Sequence, residues 1–183
     1  MIDPASGPFL FDTSAESYLG RPLSAAEAEW VVNYAALFPM YVAVLTVVER
    51  ARGYYMVIGG AGPSRRVDVE QRMLQYVHSL EIRSRVLDLT VPIALTAAQL
   101  MTLCPYPPSP PRRSHEVSES RQDRLARWRF DVMIAATALV HNLPLIHNNP
   151  QDFETLRAVI ERVPERFPGA GPLNLISVKR LVA

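Results

Sequence analysis

FDVMIAATALVHNLPLIHNNPQDF, residues 130–153, has no charged side chain from Val132 to Val140, yet keeps Asp131 near one end and Asp152 near the other. A helix-length run with so little charge packs on most of its sides, and a carboxylate beside it needs a partner. After it come a short polar turn at His141-Asn142, a strand-like Pro144-Leu145-Ile146, and a helix start at Pro150, where proline suits the first helical turn. Helix, strand, helix is the order this stretch dictates.

The same alternation extends towards the N-terminus. PFLFDTS is a short apolar run ending in an acidic, hydroxyl-rich turn, which reads as a buried strand with Asp12 at its C-terminal end. Residues 24–38 follow a helical period, with Trp30, Val31, Tyr34, Leu37 and Phe38 as an apolar stripe and Ser24 and Glu27 as a capping box. Pro39 stops that helix. MYVAVLTVVERARGYYMV reads as a strand running into a helix, with Glu49 near the junction. A basic and acidic helix over 66–84, a strand at 86–88, a helix from Pro92, a helix over 123–142 and a last strand in LNLISV complete the pattern. Strands alternating with helices imply an α/β fold with a mainly parallel central sheet flanked by helices. CPYPPSPPRRSHEVSES breaks the pattern, and the proline-rich stretch at 105–121 is expected to be a mobile loop.

The 183 residues fit one domain, 1–183, and the 49% hydrophobic and 20% charged composition is that of a soluble globular protein. The uncharged stretch from Trp30 to Val48 is interrupted by Asn33 and Pro39, so no membrane span is expected. The N-terminal MIDPASGPFLF lacks a basic region followed by a long apolar stretch, so the cytoplasm is the expected location. A single cysteine, Cys104, excludes an internal disulfide and a multi-thiolate zinc site. Net charge of +1 provides no global attraction to nucleic acid, so any such contact requires a local cluster of arginines.

In an open parallel sheet the loops leaving the C-terminal strand ends gather on one rim, the usual ligand site. Asp12, Glu49 and Asp152 each follow a predicted strand, and Asp131 is expected a turn or two into its helix. Local explanations exist for each: Asp12 as a helix N-cap, Glu49 paired with Arg50 or Arg52, Asp131 paired with Arg127 or Arg129, and Asp152 at the third position of a helix capped by Asn149. Clustering offers another account. Two carboxylates about 4 Å apart repel by roughly 4 kcal/mol at an effective dielectric near 20, so four together require protons or a cation. Oxygen ligands favour Mg²⁺ or Mn²⁺, which can activate water and stabilise the leaving oxygen of a phosphodiester.

FLFDTS, VLTVVERARG and the block at 130–153 together resemble the PIN-domain nucleases, and within them the VapC-type ribonuclease toxins of bacterial toxin-antitoxin systems. The likeness spans nearly the whole chain, and its specific part is Asp131 followed by Ile-Ala-Ala-Thr-Ala, the Leu-Pro-Leu-Ile strand and Asn-x-x-Asp-Phe. It implies a PIN-like fold and a Mg²⁺- or Mn²⁺-dependent endoribonuclease. It further implies that Asp12, Glu49, Asp131 and Asp152 are the catalytic, metal-binding acids, with Thr13 and Asn149 supporting them. His147 stands where the family usually has threonine or serine. Contact with substrate or metal and a purely structural role both stay open for it.

The chain is longer than compact toxin members, with extra length at 59–66 and 105–121. Arg112 and Arg113, then Arg124 and Arg127, approach Asp131 in sequence and are candidates for binding RNA phosphates, against the alternative of a solvated linker. The rival classes are a phosphatase with Asp12 as nucleophile, a stand-alone RNA-processing PIN nuclease and a non-catalytic PIN fold. The first lacks the second acid two residues after Asp12; the last is disfavoured by four retained acids. By resemblance to the toxins, a homodimer is expected, using Trp30, Tyr34, Leu37 and Phe38, with a groove for an apolar antitoxin segment whose basic tip reaches the carboxylates.

Overall fold

The computed structural model describes residues 2–111, 119–169 and 171–181. In chain order the elements are β1 (Leu10–Phe11), α1 (Thr13–Leu19), α2 (Ala25–Ala35), β2 (Met40–Ala43), α3 (Val44–Gly60), α4 (Pro63–Arg83), β3 (Ser84–Leu87), α5 (Val91–Leu103), α6 (Arg121–His141), β4 (Leu145–His147), α7 (Pro150–Arg162) and β5 (Leu175–Ser177). The strands form one sheet in the order β3-β2-β1-β4-β5, and every pairing among the described residues is parallel. The α/β expectation with a mainly parallel sheet therefore holds.

Side-chain alternation explains how so short a sheet is covered on both faces. Leu10, Ala43 and Leu145 point into a core shared with Ile93, Leu100, Trp128, Ile134, Phe153 and Leu156 of α5, α6 and α7. Phe9, Phe11, Val42 and Ile146 point the other way, against Ala15, Trp30 and Tyr34 of α1 and α2. A parallel sheet buried on both sides needs continuous apolar strands rather than alternating ones, which is why FLF and PLI stood out in the sequence.

Local signals act where they were read. Ser24 and Glu27 form a reciprocal capping box at the start of α2. Asn142 takes the left-handed conformation, φ 51°, at the end of α6, a conformation asparagine tolerates better than most residues. β2 passes directly into α3, so Glu49 lies in the second turn of that helix.

Three expectations are corrected. α6 begins at Arg121, so Asp131 sits about three turns in rather than one or two, and it is not at a strand-to-helix junction. The stretch at 105–121 is not loose where it is described: Pro107 and Ser109 are buried, and Arg124 donates to the Pro107 carbonyl at 2.8 Å. Residues 112–118, including Arg112 and Arg113, lie outside the described residues. Finally, the aromatic stripe of α2 is not a free surface. Trp30 is 4% exposed and Tyr34 0%, and the two rings stack at 5.2 Å between centroids, so the sheet consumes most of the surface assigned to a partner.

Tyr34 also takes part in hydrogen bonding: its hydroxyl accepts from the Phe9 N–H at 3.0 Å and donates to the Pro39 carbonyl at 3.2 Å. Trp30→Ala should cost about 3–5 kcal/mol by removing a buried indole. Leu37→Ala, at a site 57% exposed, should cost under about 0.5 kcal/mol. Urea unfolding of the two variants checks this, and equal losses would restore the α2 stripe as an independent surface.

Candidate active site

The strand order reverses direction between β1 and β4: from β1 the chain builds outward to β2 and β3, then returns to add β4 and β5 on the other side. A crevice opens at such a switch point because the connections leave in opposite directions. Here it is a polar cavity of about 170 Å³, lined by Asp12, Thr13, Ser14, Ser17, Glu49, Arg127, Asp131 and Asn149. Three larger hollows, of about 360, 600 and 280 Å³, lie elsewhere; the first borders α5 and Phe167, the second is an almost wholly apolar surface along α3, and the third lies between α3 and α4. The first two hold no carboxylate and the third only Asp68 beside Arg65 and Arg72, so the small cavity is where carboxylates gather.

Asp12 follows β1 and caps α1. Its carboxylate accepts from the Ala15 N–H at 2.6 Å and from the Ser14 hydroxyl at 2.7 Å, and Ser14 in turn accepts from the Asn148 N–H at 3.2 Å. The capping explanation for Asp12 is thus correct without removing it from the cavity. Burial pushes its carboxyl from 3.8 up to about 7, the Glu49 charge adding to the rise and the Ser14 and Ala15 hydrogen bonds opposing it. Thr13 also lines this cavity, and its buried hydroxyl has no hydrogen-bond partner among the described residues.

The local pairings imagined for Glu49 and Asp131 do not form. Arg50 pairs with Glu16 at 3.1 Å and Arg52 with Asp123 at 3.1 Å, and no salt bridge to Glu49 occurs among the described residues. Arg127 pairs with Glu119 and Asp152 rather than Asp131. Asp131 is 8% exposed and accepts from the Asn149 side-chain amide at 3.2 Å. Burial, followed by the charges of Asp12, Asp152 and Glu49, raises its carboxyl well above the ordinary range.

Asp152 is treated differently. It is fully buried and lies beside the cavity rather than lining it. Asn149 caps α7 by position, but its side chain reaches sideways, donating to Asp152 at 2.6 Å as well as to Asp131. His147 is buried at the end of β4 with its ring 5.3 Å from Phe153, outside the cavity lining. Burial lowers it to about 4, so the ring is neutral at pH 7. Arg127 lines the cavity, but its guanidinium donates to Glu119, Ser109 and Asp152. Ser14, Ser17 and Ser109 were missed by sequence reasoning. The first two follow Asp12 within a turn or so of helix, and an N-terminal run of hydroxyls there was a usable signal; Ser109 had none.

The donor chemistry fits a hard divalent cation: Asp12, Glu49 and Asp131 supply oxygens around one cavity, and burial, with their mutual repulsion added, raises the carboxyls of Asp12 and Asp131. As the side chains stand, no three His, Cys, Asp or Glu residues among those described converge closely enough to hold an ion together. Closing a shell therefore requires the acids to move towards the ion, which like charges resist until a cation is present.

No protein-family model and no curated protein matches the sequence. Solved structures do resemble the fold. VapBC2 from Rickettsia felis, bound to a DNA fragment from their promoter, contains a chain matching with a TM-score of 0.56 at 14% identity, over 92% of this chain and 97% of that one. DNA-bound VapBC from Salmonella typhimurium gives 0.53 at 19% identity, over 93% and 97%. FitAcB from Neisseria gonorrhoeae gives 0.52 at 21% identity, over 81% and 93%. The fold is PIN-like, as the sequence motifs implied.

The raised Asp12 carboxyl makes stability depend on pH. Between 3.8 and about 7 the folded state holds a proton that the unfolded state has released, so this contribution is complete below 3.8 and lost as pH rises through about 7. His147 acts in the opposite sense, destabilising the fold as pH falls from 6.5 towards about 4. From pH 8 down to 6.5, Asp12 should therefore stabilise the chelator-treated protein by about 0.8 kcal/mol, and His147, protonated in half of the unfolded chains at pH 6.5, should take back about 0.4 kcal/mol. Thermal unfolding at the two pH values reads the balance of the two as a Tm higher by roughly 1–2 °C at the lower pH; a lower Tm there contradicts the buried-acid account.

Proposed function

We propose that this chain is a Mg²⁺- or Mn²⁺-dependent endoribonuclease and the toxin of a toxin-antitoxin pair. The observation that carries the reading is the meeting of Asp12, Asp131 and Glu49, from three separate elements, around one polar cavity at the switch point of a PIN-like sheet. The resemblance of the 130–153 block to VapC-type toxins supports the substrate class, and the fold shared with VapBC and FitAcB chains supports a partner protein.

In this reading Asp12, Glu49 and Asp131 would hold the cation. When bound, the ion supplies a water of lowered pKa and charge stabilisation for the leaving oxygen. Ser14 keeps the Asp12 carboxylate oriented, and the N–H of Ala15 fixes the same carboxylate to the start of α1. Asn149 orients Asp131 through its amide, and Thr13, whose hydroxyl has no partner among the described residues, lines the cavity where a substrate phosphate oxygen would sit. Arg124 and Arg127 spend donors within the protein, so RNA contacts are assigned first to groups that remain open in the cavity.

A partner is expected as well. With Trp30 and Tyr34 buried, the exposed apolar surface nearest the carboxylates in sequence lies along α3, where Val48, Tyr55 and Met56 are 46, 62 and 65% exposed. That row starts beside Glu49, so an apolar antitoxin segment lying on it could bring an arginine or lysine to the carboxylates and neutralise them in place of the metal. A homodimer remains part of the reading, and light scattering at micromolar concentration tests it.

Asp12→Asn and Asp131→Asn should each reduce Mn²⁺-dependent RNA cleavage by at least about a hundredfold, and excess chelator should abolish it in the wild type. Asparagine is as good a helix cap as aspartate, and each change removes one repelling charge, so the metal-free variants should melt no lower than the wild type. Full cleavage in chelator, or in both variants, defeats the nuclease reading. If coexpression with neighbouring small proteins leaves growth and cleavage unchanged, the toxin role fails and a stand-alone RNA-processing nuclease replaces it.

A further inference from the structure

Asp152 is the fourth acid of the motif block, yet its surroundings differ from those of the other three. One carboxylate oxygen accepts from the Ser109 N–H at 3.1 Å. The other accepts from the Ser109 hydroxyl at 3.0 Å, from Arg127 at 3.2 Å and from the Asn149 amide at 2.6 Å. Three donors crowd the second oxygen, which shares Asn149 with Asp131, one donor meets the first, and the whole side chain is buried. The residue is 0% exposed and Arg127 only 8%, so the pair is a buried ion pair with its hydrogen bonds satisfied.

Arg127 is equally committed. Its remaining N–H groups form a two-pronged contact with Glu119, at 3.0 and 3.1 Å, and a further bond to the Ser109 hydroxyl at 3.3 Å. Ser109 precedes α6 in the chain, Arg127 lies within it, and Asp152 lies in α7, so the three tie together segments far apart in sequence. For Asp152 to ligate a cation through the oxygen on the Asp131 side, it would have to surrender at least one of three donors. A buried N–H or a buried guanidinium would then be left uncompensated, at about 1–3 kcal/mol for the neutral donor and more for the charged one.

We infer that Asp152 is an anchor rather than a metal ligand: it fastens Ser109 of the proline-rich segment and Arg127 of α6 to α7, while Asp12, Glu49 and Asp131 alone hold the cation. The cation half of this statement rests on the nuclease reading, and the anchor half does not. It also divides two jobs that the motif alone would merge, since Asn149 spans both carboxylates and belongs to each.

Two measurements on the full chain test this: calorimetric titration with Mn²⁺, and amide hydrogen exchange at Ser109. In the wild type, saturating Mn²⁺ should leave Ser109 exchange within about twofold, because the anchor does not let go when the ion binds. Asp152→Asn should keep Mn²⁺ affinity within about threefold, whereas Asp131→Asn loses at least about tenfold. Asp152→Asn should speed Ser109 exchange at least about tenfold, since its new amide turns donors towards Ser109, Arg127 or Asn149. Loss of Ser109 protection on adding Mn²⁺ to the wild type overturns the inference without any substitution. So does an Asp152→Asn chain that loses Mn²⁺ as fully as Asp131→Asn. Should the wild type bind no Mn²⁺, the nuclease reading fails, and Ser109 exchange in Asp152→Asn decides the anchor by itself, unchanged exchange overturning it.

Discussion

Carboxylates withdrawn from water cannot keep their charge without a compensating group, and this fold draws several of them to one rim. Each is dealt with differently. Asp12 is held by a helix start and the Ser14 hydroxyl, yet burial still raises it to about 7. Asp152 has a guanidinium and three further donors. Asp131 has one amide contact and three acidic neighbours, and so is the least compensated of the buried acids. Glu49, half-buried, retains contact with solvent. The site's demand for a proton or a cation follows from this inequality rather than from the number of acids.

The sheet makes the inequality unavoidable. β1 lies at its centre between β2 and β4, so the residue after Phe11 must leave the sheet in its most covered part. α6 crosses the same region with Trp128, Val132 and Ile134 in the core, which carries Asp131 inward with them. A helix so closely packed offers little freedom to swing its one mid-helix acid out to water. The apolar character of 132–140 is therefore both the reason the helix packs and the reason Asp131 is costly to ionise.

Much of the fold was legible because its signals are local. Apolar strands, the Ser24–Glu27 capping box and Pro150 at a helix start each depend on a few neighbouring residues, and all act as read. α1 was visible only as a cap at Asp12, since seven residues are too few to display a helical period. The α2 stripe was recognised as apolar, but whether the sheet or a partner covers it depends on what packs opposite. Phe9 and Phe11 do so, and no periodicity within α2 reports their presence.

The sequence by itself determined the parallel α/β arrangement, the identity of the acids and the fact that something must balance them, because composition and spacing are properties of the chain alone. Only the tertiary structure decided which acid is balanced by what. Ser109 and Arg127 stand 43 and 25 residues from Asp152, and a proline-rich segment that looks unable to order itself is held by a carboxylate far from it in sequence. Charge compensation acts across a few ångströms of space, while a motif is read along the chain.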